Sequence, residues 1–145
     1  MKKVFCIATA CCVLAVVAAL FTSCGQQSES EYLYTVSAVA ASGDPQDAVL
    51  NNYAVFAYPT IEKKINEVAK KPIEEGSAYF TMYGTRSKCD KNAMTAINAA
   101  MDELEAAEGY GQGFRELKGV KVRLMWRNTD VQPNKDEEVN SRTFK

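Results

Sequence analysis

Hydrophobic and polar positions divide the chain into one uninterrupted apolar run and several periodic segments. Residues 4–21, VFCIATACCVLAVVAALF, carry no charge. Residues 32–41, YLYTVSAVAA, are rich in aromatic and β-branched side chains and predict a strand. Ser42-Gly43-Asp44-Pro45 breaks it. The Asp44 carboxylate can cap a helix by accepting a free backbone N–H, and Pro45 suits the first helical position, where its missing N–H costs nothing. Val49, Tyr53 and Phe56 then recur at helical spacing, and Ile61, Ile65 and Val68 continue the pattern towards Pro72. Proline removes a helix hydrogen bond and crowds the preceding turn, so this stretch predicts two helices or one kinked at Pro59.

Glu74-Glu75-Gly76 marks a turn, and residues 77–84, SAYFTMYG, predict a second strand with bulky groups on both faces. Ser87 opens a helix, with Asp90 three residues on in a capping-box arrangement. Met94, Ile97, Met101 and Leu104 form its apolar stripe, and Gly109 is a natural C-cap. Residues 120–127 alternate strictly. Val120, Val122, Leu124 and Trp126 point one way, and Lys121, Arg123, Met125 and Arg127 the other.

Together these elements predict an α+β, two-layer sandwich: a three-stranded sheet with helices on one face, in the order β-α-β-α-β, the first helical region being kinked or double. The helix after residue 86 is long enough to return the chain along a strand, so the second and third strands can run parallel through a right-handed crossover. From 129 to 145 the sequence turns polar, with many charges and no sustained period, which predicts an exposed, flexible tail. The expected organisation is therefore a leader over 1–23, a tether over 24–31, a domain over 32–128 and a tail over 129–145.

The apolar run decides the location. Lys2 and Lys3 precede it as a basic n-region, and its 18 residues fall just short of the ~20 that span a bilayer as a helix. A clean A-x-A cleavage motif is missing near its end. In its place stands Thr22-Ser23-Cys24. This resembles the lipobox of bacterial lipoproteins, in which small residues precede an invariant cysteine. The resemblance implies cleavage after Ser23, a diacylglyceryl group on the Cys24 thiol and a fatty acyl chain such as palmitate on the new amine. Phe21 stands where the common pattern has leucine, and Leu20 sits one position early; relaxed versions ending in Ser-Cys are similar to those of Bacteroidetes lipoproteins. The implied location is the bacterial cell envelope, at the outer membrane on its periplasmic or surface side. The other reading of the same run is an uncleaved single-span anchor.

Composition narrows the chemistry. Lys2 and Lys3 leave with the leader, so the chain from Cys24 onward holds 15 of the 17 basic residues and all 18 acidic ones, a formal charge of −3. A mild acidic balance without a basic block argues against nucleic acid as a partner. Cys6, Cys11 and Cys12 belong to the leader and Cys24 to the lipid. Cys89 then stands alone, and no internal disulfide is expected despite the oxidising compartment. The chain contains no histidine, which removes Ser-His-Asp and Cys-His catalysis and histidine-based zinc sites. No metal and no cofactor are expected beyond the covalent lipid on Cys24.

Two places remain as candidate sites. Arg86, Ser87 and Lys88 lie where a strand passes into a helix N-terminus, so free N–H groups and two cations could receive an anion. Cys89 sits in the same turn, but without a histidine or second cysteine it reads as buried and inert. Gly109-Tyr110-Gly111-Gln112-Gly113 follows a helix and precedes a strand, the reverse of the order a dinucleotide loop needs. The second candidate is a surface. With helices on one side of the sheet, the other side carries some of Tyr79, Thr81, Tyr83, Lys121, Arg123 and Met125, and Tyr79, Tyr83, Arg123 and Met125 are its expected contacts.

The expected function is a membrane-anchored, non-enzymatic module that binds itself or another envelope protein; the alternative is a small-anion binder at Arg86 and Lys88. Cys24→Ala should abolish lipid labelling and leave a full-length precursor, read by intact mass; normal maturation of that variant would exclude lipidation.

Overall fold

The computed structural model describes residues 28–41 and 48–145. The expected leader, Cys24 and the cap expected at Asp44-Pro45 lie outside the described residues. Strand β1 (Ser30–Val39) is followed by helix α1 (Ala48–Asn52), a π-helical turn (Tyr53–Ala57) and helix α2 (Tyr58–Asn66). Strand β2 (Tyr79–Gly84) leads into helix α3 (Arg86–Glu105), and a 3-10 turn (Gly113–Arg115) precedes strands β3 (Lys121–Asn128) and β4 (Lys135–Thr143). The sheet order is β2-β1-β3-β4, and every neighbouring pair is antiparallel. The fold is mixed α+β. Among the described residues no helix is long and apolar enough to cross a membrane.

Period-two alternation builds the core side of the sheet. Tyr34, Phe80, Val122 and Leu124 are all buried, while Tyr32, Val36 and Ala38 of β1 pack against the same cluster. Helix α3 supplies Cys89, Ala93, Met94, Ile97, Ala100, Met101 and Leu104 to that cluster, one face of a 3.6-residue period. Helix α2 adds Ile61 and Ile65.

The stretch around Pro59 is one helical segment rather than two. The Tyr58 N–H donates to the Tyr53 carbonyl, a π-type bond that widens the turn just before the proline. Pro59 has no N–H and its ring crowds the carbonyl four residues back, and a wider turn relieves that crowding. Helix α3 is capped two residues earlier than the capping-box reading, with its N-cap at Ser87, placed it. Thr85, in extended conformation, is its N-cap, and its hydroxyl accepts from the Lys88 N–H at 3.4 Å.

Two expectations about the strands need correction. Strands β2 and β3 do run the same way, but β1 lies between them, so they do not pair. The sheet has four strands rather than three, because the residues read as a flexible tail form β4. Their strand signal was hidden for two reasons. A register shift between Leu124 and Met125 places Asn140 and Glu138 opposite them, so Val139 is an extra residue and the alternation breaks. The strand's side-chain anchors are also mostly polar. Arg142 bridges Asp102 and Glu105 of α3 at 2.7 Å each and donates to the Asn98 carbonyl at 3.0 Å. Phe144, just past the strand, is 2% exposed and belongs to the core. Phe144→Ala should cost about 3 kcal/mol, as truncation of a buried aromatic does. Urea unfolding reads the effect; a dispensable tail would leave the midpoint unchanged.

Candidate interaction face

The side of the sheet away from the helices is built from the alternate residues of the same strands. Register sets Tyr79, Thr35, Met125 and Glu138 in one row across all four strands, with Ser37, Arg123 and Ser141 in the next. Tyr83 stands opposite Glu31 nearer the end of the sheet and is 55% exposed. The four expected contacts, Tyr79, Tyr83, Arg123 and Met125, therefore share one face.

That face is laced with polar contacts. The Tyr79 hydroxyl donates to Asp136 at 3.1 Å, and Arg127 donates to both the hydroxyl and Asp136 at 3.2 Å. Burial, followed by the bond to Asp136, raises the Tyr79 phenol above its ordinary pKa. Arg123 Nε donates to Ser37 at 3.1 Å, and Glu138 pairs with Lys121 at 2.8 Å. The bond from Lys121 holds the Glu138 carboxyl below the usual range. At the β2 edge, Lys70 and Lys71 pair with Glu31, and the Lys70 ammonium lies 4.9 Å from the Tyr83 ring centre. Lys71 also forms a backbone bridge with Thr81, which caps that edge and buries Thr81. Sequence reading missed Asp136 and Glu138 because both sit on the unrecognised β4.

These ion pairs bring five cations (Lys70, Lys71, Lys121, Arg123 and Arg127) against three carboxylates (Glu31, Asp136 and Glu138). With Glu74, which lines a hollow beside Leu33, Tyr79 and Thr81, the face holds five cations to four carboxylates, a surplus of one on a chain whose net charge is negative. Exposed pairs of this kind add little stability. Their orientation of aromatic rings and cations suits recognition.

The expected anion site is differently occupied. Arg86 Nε donates to Asp90 at 2.8 Å, and its guanidinium stacks 3.6 Å from the Trp126 ring centre. The same Asp90 oxygen accepts from the buried Tyr34 hydroxyl at 2.6 Å. Arg86 is thus engaged beside a carboxylate that repels anions, and Ser87 and Lys88 alone remain open on the first turn of α3. A groove of 420 Å³ runs from Ser87 and Asp90 along α3 to Asn98, with Val139 and Asn140 of β4 as its other wall. Tyr34 is pushed above the ordinary tyrosine range, first by burial and then by its bond to Asp90. Among the described residues no group of three or more Cys, Asp or Glu could hold a metal.

Comparison with known proteins adds no relative: no family model, curated protein or solved structure matches the chain.

Cys89 is 1% exposed, and burial raises its thiol pKa despite Lys88 and Arg86 nearby. Both effects suppress the reactive thiolate. Alkylation of the folded protein should be far slower than that of a short cysteine peptide and should reach the peptide's rate in denaturant. A rate equal to the peptide's in the folded state would show an accessible thiol.

Proposed function

We propose that the protein is a lipid-anchored envelope lipoprotein, held through Cys24, whose α+β domain is a non-enzymatic interaction module. Its contact surface is the helix-free face of the sheet, and its partner is a second copy or another envelope protein with an acidic surface. One observation carries this reading: Tyr79, Tyr83 and Met125 lie on that face among five cations and four carboxylates. Interfaces favour aromatic residues, methionine and arginine in this way. Surplus positive charge selects an acidic partner and speeds its encounter. The absence of histidine and the burial of Cys89 leave this surface better furnished for binding than for catalysis.

Native mass spectrometry of the mature protein, extracted gently from its own membranes, tests the proposal. A dimer or a stoichiometric co-purifying protein is expected, and Tyr83→Ala combined with Arg123→Glu should dissociate it while the unfolding midpoint stays nearly constant. A bare monomer in wild type, or assembly indifferent to both substitutions, would overturn the reading.

A further inference from the structure

The distance between Cys24 and the fold limits which part of the domain can meet the membrane. Strand β1 begins at Ser30, six residues beyond Cys24. Six residues reach about 20 Å even when fully extended. The ten residues of β1 extend about 33 Å at the usual strand rise, so the end of the sheet at Val39 lies farther from Ser30 than the tether can reach. The end at Ser30 is held close to the lipid.

Four elements meet at that end. Ser30 pairs with Gly84 at the close of β2, and α3 begins at Arg86 immediately after it. The hollow beside Ser30 and Glu31 is lined by Trp126, Arg127, Thr129 and Asp130, which places the β3–β4 loop there as well. The surface carries Tyr83, with Lys70 over its ring, and Val131, which is 41% exposed. A tyrosine beside a lysine is the amphipathic pairing that sits well at a membrane–water boundary. Its acidic residues Glu31, Asp90 and Asp136 are ion-paired. Lys88 and Lys135 make no ion pair among the described residues, and neither do Glu29, Asp130 and Glu137; because Glu31 holds both Lys70 and Lys71, the cations and carboxylates of this end balance.

Resting on the lipoprotein reading, we infer that this end of the domain docks on the bilayer that holds Cys24, with Val131 among zwitterionic phospholipid headgroups, Lys88 and Lys135 near their phosphates, and Tyr83 at the boundary where the open face leaves the membrane. The helix-free face then stands roughly upright from the membrane, open to a partner from the side. Contact of this kind depends little on salt, because no net charge draws it.

The test uses the full lipidated protein in phosphatidylcholine vesicles containing a headgroup quencher, with fluorophores placed singly at Asn134→Cys, Thr95→Cys or Phe114→Cys. Intact mass is read first. Lipid on Cys24 with quenching at 134 several-fold above that at 95 and 114, unchanged in high salt and reduced by Val131→Glu, is the expected result. Lipid on Cys24 with equal quenching at the three positions, or the strongest at 95, overturns the docking and leaves the lipoprotein reading standing. A chain without lipid overturns both.

Discussion

The fold depends on a single buried knot centred on Tyr34. Its ring is completely buried on β1, an interior strand of the sheet, and stacks on Phe80 of β2 at 5.7 Å. Its hydroxyl, carried into an apolar core, requires a partner, because an unpaired buried donor costs more than a made bond gains. Asp90 of α3 provides it at 2.6 Å, and the same carboxylate oxygen receives Arg86, whose guanidinium covers Trp126 of β3. Three strands and the principal helix are thereby fixed to one another through five side chains. The knot also explains why the start of α3 is committed to structure. Of the three residues expected to form an anion site there, Arg86 takes part in holding the helix to the sheet, while Ser87 and Lys88 stay exposed.

Strand β4 is attached by different physics. It is an edge strand of low hydrophobicity, and its inner-face arginine, Arg142, is clamped by Asp102 and Glu105 rather than buried among apolar groups. Its charged residues and its register shift also discourage another chain from adding to the free edge, a common defence of exposed sheet margins. Association through the face of the sheet is therefore better supported than extension of its edge.

The two proposed surfaces fit one geometry. On the proposed lipid anchor a short tether would keep the Ser30 end at the membrane, and the row of Tyr79, Thr35, Met125 and Glu138 crosses the sheet perpendicular to the strands. A partner on the same membrane would meet that row laterally. A chain with negative net charge and a positive contact face would meet acidic surfaces in preference to its own cationic one.

The sequence by itself determined the elements whose signal is local. The alternation at 120–127, the aromatic and β-branched run at 32–41 and the stripe from Met94 to Leu104 each report one buried face, and the side chains of the open face follow from the same alternation. The resemblance of Thr22-Ser23-Cys24 to a lipobox, on which the proposed anchor rests, is likewise a local pattern in a few adjacent residues. Only the tertiary structure decided that β1 lies between β2 and β3, since strand order depends on contacts far apart in the chain. It alone revealed β4, because a strand secured by Arg142 to α3 and by ion pairs to β3 leaves no hydrophobic period to read. It also brought Arg86 against Asp90 and Trp126: a cation's surroundings are set by the groups folding brings beside it, and those lie 4 and 40 residues away along the chain.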